Sequence, residues 1–392
     1  MSASILHLNF SRTGGAGSVA RTLWEEQVRL GHTSRFHTTI NSDLRTQPFS
    51  APLHTAAAAL DQYGIKAPSF DAPISLMRDR MKDRELPNLE GVDVLHLHGI
   101  NGMVGIDAIA RDHPSLRIVW TLHDMNPFTG VCHYSLGCQG FQRNCESCPA
   151  VRPPFQGAVS KALARKRDAV AALGNLTVVT PSRWLADQAL ASSVFAGHDI
   201  VVQQNPLSPG FEPPPTEHTN RGEEPFRAVV IAKNLDDPVK NVAEAIRAFQ
   251  QAFPTPGAAR LHLVGKGGAF LKGTNIHLGG ELSPPQIAGL LRSTDVLIVS
   301  SLAENSPLVI PEAASQGCAP LVADVGGMPE LIAALGGGAV FSSPSDLSAA
   351  LNAFASRTAK DRNALRKKLM TTSQKVFSAR AVVMAYDKVY AR

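Results

Sequence analysis

Between Asp295 and Glu330 the chain reads DVLIVSSLAENSPLVIPEAASQGCAPLVADVGGMPE, and the placing of its apolar residues narrows the available folds. Val296–Val299 and Ala319–Ala323 are short apolar runs with room for a helix between them, and the second leads to the pair Gly326–Gly327. Strand, loop, helix, strand, loop is a βαβ unit of an open α/β sheet, in which ligands lie beyond the carboxyl ends of the strands. The helix is expected to begin near Leu308, because Pro311 is tolerated only in a first turn, where backbone N–H groups lack intrahelical partners. Those donors and the positive end of the helix dipole offer a seat for phosphate. Glu304 falls in the loop ahead of that seat and Glu312 a turn inside the helix. Carboxylates so placed suit hydroxyl groups on either side of a phosphate, a sugar on one and a ribose on the other. Two solvated glutamates on an ordinary βαβ unit would show the same spacing.

At 392 residues the chain exceeds what one core usually holds, so two domains are expected. Residues 206–225 shift to prolines, acids and polar residues and read as a linker. They separate an N-terminal domain, 1–205, from a C-terminal domain, 226–375, with a closing segment, 376–392, whose Val382, Val383, Tyr386, Val389 and Tyr390 recur at helical spacing. With 44% hydrophobic and 18% charged residues, the composition excludes a disordered chain. No apolar run approaches the ~20 residues that span a bilayer, and no signal peptide is evident, so a cytoplasmic location is expected. A net charge of +5 permits anionic partners, including nucleotides and the inner face of a membrane. The basic residues are dispersed, which argues against nucleic acid.

In the first domain, residues 4–10 form an apolar run ending in a loop, Ser11–Ser18, that contains Gly14, Gly15 and Gly17, and a helical pattern follows in Val19, Leu23 and Val28. Glycines let a backbone turn tightly or approach a ligand closely, although a tight βα turn alone would also explain them. Residues 41–90 are interrupted by Pro48, Pro52, Pro68, Pro73 and Pro87 and are expected to decorate the first domain as a lobe, with a short helix over 54–60. Two further strands, Val92–Leu97 and Ile118–Leu122, end in His98 and His123 and should bring both to one edge of a parallel sheet. A basic amphipathic helix over 160–173 precedes the strand Leu176–Thr180 and the phrase Pro181-Ser182-Arg183-Trp184-Leu185, and Ile200–Asn205 is a last strand. Arg183 is either a surface cation or a contact for acceptor phosphate.

Cys132, Cys138, Cys145 and Cys148 put four of the five cysteines within seventeen residues. In a reducing compartment disulfides are disfavoured, and four thiolates could surround one structural zinc. Only Cys145 and Cys148 have the short C-x-x-C spacing, so free thiols remain the alternative. The second domain opens with the strand Phe226–Ala232 and continues through Lys233 and Lys240 to a helix over Val242–Phe249. Leu261–Val264 then runs into a loop beginning at Gly265.

The segments Glu304–Glu312 and Asp324–Glu330, with Gly317, Thr121–Asp124, Pro181–Leu185, Lys233 and Lys240, resemble those of retaining nucleotide-sugar glycosyltransferases of family 4, of the bacterial exopolysaccharide and colanic-acid type. The resemblance implies an α/β fold of GT-B architecture: two Rossmann-like domains facing each other across a deep cleft, with a C-terminal helix crossing back to the N-terminal domain. It implies transfer, with retention, of a sugar from a nucleoside-diphosphate donor to a carbohydrate or lipid-linked acceptor. No Asp-x-Asp motif lies at a strand end where a cation-dependent transferase would need it, so no catalytic metal is expected. It places Glu304 and His123 on the transferred sugar, Asn305, Ser306, Pro307 and Leu308 near sugar and phosphate, and Glu312 on the ribose. Lys233 and Lys240 would clamp the diphosphate, with Gly14, Gly15 and Gly17 lining the cleft and Gly265 passing near the base. Three departures stand out: Asn305-Ser306-Pro307 replaces the usual Gly-Phe-Gly, Lys replaces Arg in the basic pair, and Asn241 replaces the customary Gly. A nucleotide-sugar epimerase of the same architecture and a non-catalytic nucleotide-sugar- or glycan-binding subunit are the alternatives.

Overall fold

A computed structural model describes residues 3–40, 59–76, 87–101, 103, 105–212 and 225–392. Most of the 206–225 linker, much of the 41–90 segment and the body of the helix expected over 54–60 lie outside the described residues. The chain divides into two compact units, Met1–Asn205 with Val382–Arg392, and Pro206–Ala381.

Among the described residues, the first unit is built on six strands: β1 Ile5–Ser11, β2 Ser34–Ile40, β3 Val94–Leu97, β4 Arg117–Thr121, β5 Leu176–Thr180 and β6 Ile200–Val202. Every pairing is parallel and the spatial order is β2-β1-β3-β4-β5-β6. The second unit repeats the design with β7 Phe226–Asn234, β8 Ala259–Lys266, β9 Ile276–Gly280, β10 Val296–Val299, β11 Ala319–Ala323 and β12 Ala339–Phe341, ordered β12-β11-β10-β7-β8-β9. Its pairings are parallel as well. The short central runs VLHL in β3 and VLIV in β10 are buried throughout, as strands covered on both faces must be. Strand order reverses direction between β1 and β3 and again between β7 and β10, and at such a switch point the loops diverge and leave a crevice.

Around the second sheet, the helix Ala359–Phe377 buries Leu369, Ser373 and Phe377 and holds the short helix Val309–Ser315 through a 3.0 Å hydrogen bond from Ser373 Oγ to the Pro311 carbonyl. Residues 206–212 do not run free as a linker: Leu207 and Phe211 enter this unit's core, and Gln316 Nε2 donates to the Phe211 and Glu212 carbonyls. In the first unit, Ile65, Phe70, Ile74 and Leu76 are buried, and antiparallel bridges join Lys66 to Val151 and Ile74 to Cys132. Residues 65–76 are therefore packed against the cysteine segment of the first unit. The helix Ala379–Tyr390 buries the five residues expected from their spacing, and residues 382–392 belong to the first unit. No helix among the described residues is long and apolar enough to cross a membrane.

Candidate active site

In the second unit the loops leaving β7 and β10 are stitched together by hydrogen bonds at the switch point. Ser300 Oγ donates to the carbonyls of Lys240 and Asn241, 3.0 Å each, and the Leu302 N–H donates to the Val239 carbonyl at 2.8 Å. Asp237 accepts the Val239 N–H at 3.0 Å and so caps the tight turn Pro238–Lys240. The turn leaves through Asn241 at φ +50°, in the left-handed region. Glycine enters that region freely and asparagine visits it more readily than other side chains do, which accounts for the Gly-to-Asn exchange at this position. The result is an ion pair between Lys240 Nζ and Glu304 Oε1, with Ser301 Oγ also 3.4 Å from Glu304 Oε1. Glu304 is only 7% exposed, and a carboxylate so buried requires the partner that Lys240 supplies.

The loop after β11 completes this arrangement. Gly326 lies at φ +62°, and a Cβ there would fall 1.7 Å from the Glu304 carbonyl oxygen. Only glycine permits this approach. The Gly-Gly pair is visible in the sequence as a strand exit, but its bracing of Glu304 is a contact between distant segments that no local pattern announces.

Asn305 is buried, and Ser306, Pro307 and Leu308 are half-buried between Glu304 and the helix Val309–Ser315, which starts where expected. Glu312 lies in its first turn; burial pushes its carboxyl up to about 7, opposed by a hydrogen bond from Ser208. Two expectations need correction. β7 extends two residues beyond Ala232, so Lys233 sits exposed on the strand's end rather than in the loop. Gly265 lies within β8, not in a loop, and a Cβ there would fall 1.9 Å from the Ala232 carbonyl oxygen of β7. Its glycine is required by strand packing. Lys240 and Glu304 are in contact, Lys233 lies near the end of β7, and the 305–312 segment follows β10.

In the first unit the glycine segment is also revised. The helix Gly14–Arg29 begins at Gly14, so Gly14, Gly15 and Gly17 occupy its first turn rather than a loop. Gly17 is where a side chain is forbidden, since a Cβ would meet the Ser11 carbonyl at 2.3 Å, whereas Gly14 and Gly15 have open space around them. His98 and His123, at the ends of β3 and β4, come together as the parallel sheet requires, with His98 Nδ1 3.0 Å from His123 Nε2. Arg183 is exposed as the first residue of the helix Arg183–Leu190, whose N-cap Ser182 accepts the Leu185 N–H at 3.1 Å.

The loop after β4 is held by Lys166, a residue that charge patterning hides among its basic neighbours. It is 1% exposed, its Nζ donates to the Asn126 and Thr129 carbonyls at 2.7 and 2.8 Å, and burial pushes its amine down to about 7. The helix carrying it spans Gln156–Ala172, one turn longer at its start than expected. Beneath the loop, Cys132, Cys138, Cys145 and Cys148 are free thiols lining one small pocket with Thr129, Ser135 and Phe141. Cys132 and Cys148 are hydrogen-bonded to each other; this bond holds the Cys148 thiol at about 7 and pushes Cys132 up. Cys138 Sγ also receives the Gly140 N–H at 3.4 Å. The donor chemistry suits zinc. A tetrahedral site would hold the sulfurs ~3.8 Å apart, from Zn–S distances near ~2.3 Å. Among the described residues, the group of three ligand atoms within 4.8 Å of one another is that of His7, His96 and His98, and the four sulfurs are not gathered to this spacing.

Comparison with known proteins bears on the fold and on the sequence around the Lys240–Glu304 pair. Residues 227–357 match the family described as Glycosyl transferases group 1, a segment that runs from β7 past the Lys240–Glu304 pair to the helix Pro344–Ala355. A protein of Escherichia coli (strain K12) assigned to colanic acid biosynthesis as glycosyl transferase WcaC is 27% identical over 253 residues, covering 60% of each chain. The structure of WaaG, a glycosyltransferase involved in lipopolysaccharide biosynthesis, aligns over 98% of this chain and 99% of its own, at 12% identity and TM-score 0.61. Anabaena Alr3699/HepE, solved with UDP and glucose, aligns over 99% of both chains, at 15% identity and TM-score 0.61. The fold is therefore that of the GT-B glycosyltransferases.

Proposed function

We propose that this chain, a GT-B protein whose residues 227–357 match the group 1 glycosyl transferases, moves a sugar from a nucleoside-diphosphate donor to a carbohydrate or lipid-linked acceptor in surface-glycan synthesis. The observation that carries the reading is the Lys240–Glu304 pair at the β7/β10 switch point, where open α/β sheets bind ligands. Lys240 and Lys233 supply positive charge where a leaving diphosphate gains negative charge, as point charges rather than as the bidentate fork an arginine offers. Glu304, fixed by Ser301 and by the Gly326 contact, accepts hydrogen bonds from hydroxyls of the transferred sugar. Glu312 takes the ribose, and the backbone of Asn305–Leu308 lies between the two. In this reading the lysines do the work a cation would do elsewhere. The acceptor attacks from the face the nucleotide leaves, so the configuration at the anomeric carbon is retained without an enzymic nucleophile. Similarity to HepE, solved with UDP and glucose, supports a nucleotide-sugar donor.

Residues of the first unit complete the proposal, with His123 on the donor sugar, the Gly14–Gly17 turn near the phosphate and Arg183 toward an anionic acceptor. The four cysteines are proposed to hold a structural zinc, drawn together by side-chain rotation. A cytoplasmic enzyme working at the inner face of an anionic membrane fits the net charge of +5.

Thermal-shift screening against UDP-, GDP- and ADP-sugars tests the reading, since a ligand bound only by the folded state raises its apparent stability. One nucleotide class should stabilise the protein, and product analysis should then show acceptor-dependent transfer. Conversion of the donor without any acceptor would replace the transferase with an epimerase. Binding with neither hydrolysis nor transfer across the panel would make the chain a binding subunit.

A further inference from the structure

Linked to His123, the first unit encloses a set of buried hydrogen-bonding groups to which the proposed transfer assigns no role. Gln27 Oε1 receives Ser34 Oγ at 2.7 Å and lies 2.8 Å from His7 Nε2. His7 Nδ1 is 3.1 Å from His98 Nε2, and His98 Nδ1 is 3.0 Å from His123 Nε2. The other end of the Gln27 amide is tied down too: its Nε2 donates to the Tyr390 hydroxyl at 3.1 Å. That hydroxyl is 2.8 Å from His96 Nδ1, and His96 Nε2 is 2.8 Å from Thr121 Oγ1. His7, His96 and Gln27 are fully buried and His98 is 2% exposed.

The grouping of His7, His96 and His98 would admit a metal ion by distance. Every one of their ring nitrogens is instead already engaged with a protein group, so an ion would have to break the bonds just described. What the cluster does carry is proton order. Burial pushes His7 and His123 down to about 4 and drives His96 and His98 well below the ordinary 6.5. Each ring is therefore neutral near pH 7, with one nitrogen donating and the other accepting.

In a chain of neutral imidazoles, one fixed end decides every link. Gln27 Oε1 can only accept, so His7 donates from Nε2 and its Nδ1 accepts. His98 must then donate from Nε2, and its Nδ1 accepts in turn. We propose that Gln27, through His7 and His98, sets the tautomer of His123, which carries its proton on Nε2 and acts as an acceptor at Nδ1. Gln27, His7 and His98 are positioning residues in this scheme. The consequence for catalysis rests on the reading of His123 as a sugar contact: a hydroxyl that meets Nδ1 must donate. The opposite order would set the lone pairs of Gln27 Oε1 and His7 Nε2 against each other in a buried site.

The test is nitrogen NMR of the full chain labelled with ¹⁵N-histidine, in which two-bond proton–nitrogen correlations separate protonated from unprotonated ring nitrogens. In the wild type, His7, His98 and His123 should each show a protonated Nε2 and an unprotonated Nδ1. A protonated Nδ1 on His123 overturns the proposal with no variant needed. In Gln27→Leu, shown to be folded by circular dichroism, the His123 Nδ1 resonance should shift toward the protonated range, and an unchanged resonance would overturn the relay. His123→Ala assayed separately addresses the underlying reading: wild-type transfer in that variant removes the sugar contact, while the proton order is still read from the wild-type spectrum.

Discussion

At the scale of single residues, Lys240 and Glu304 bear the most weight. Removing one preorganised electrostatic group from a transfer site costs roughly 10²–10³-fold in turnover. Lys240→Ala and Glu304→Gln should each lose at least about 10²-fold in kcat while circular dichroism stays unchanged, and near-wild-type turnover in either would remove the site assignment. Glu312 gives a pH-dependent signature. Its folded carboxyl titrates at about 7 rather than the ordinary 4.5, so the folded state holds the proton more tightly than the unfolded chain. Its contribution to stability is present in full below 4.5 and is lost as the pH rises through 7. Glu312→Gln should therefore flatten this loss, so that the Tm difference between variant and wild type widens from pH 5 to pH 8. A constant difference in melting curves across that range would contradict the burial of this carboxyl.

At the scale of elements, what matters is how closely neighbouring loops approach. Gly326→Ala forces a Cβ against the Glu304 carbonyl and holds a side chain in a left-handed conformation that costs about 1–2 kcal/mol before any clash is counted. It should lower both stability and turnover, measured by urea unfolding and by transfer rate, whereas alanine at Gly157, which has open space around it and no assigned role, should be nearly silent in both. The cysteine segment makes a separate prediction: the purified protein should hold one zinc per chain by elemental analysis, and chelation should lower the Tm. A metal-free protein of unchanged stability would leave the four thiols as packing residues. These elements also show what a sequence discloses. The strands around Glu304, the start of the helix near Leu308 and the meeting of His98 with His123 were legible, because runs, prolines and strand ends are local or follow from parallel pairing. The roles of Gly17, Gly265 and Gly326 were not, because each is set by a carbonyl on another segment. Lys166 was hidden for the opposite reason: its burial depends on two carbonyls of a loop forty residues away, and its neighbours in sequence look like a solvated basic face.

At the scale of the whole molecule, the first unit is assembled from two separated pieces of chain. Val382, Val383, Tyr386, Val389 and Tyr390 fill its interior, and Tyr386 and Tyr390 reach Thr121, His96 and Gln27 through their hydroxyls. Each such apolar side chain contributes about 1.5–3 kcal/mol when buried. Removing residues 382–392 should therefore lower the calorimetric transition of the first unit by many degrees and leave that of the second nearly in place. Equal losses in both would mean that the closing segment stabilises something other than the unit it packs into.

This discontinuity bears on how the protein is made. A ribosome delivers the larger piece of the first unit, then the whole of the second, and only afterwards the segment that seals the first. Until then His96 and Gln27 await the hydroxyl of Tyr390. The half whose synthesis starts first is thus the half that finishes last.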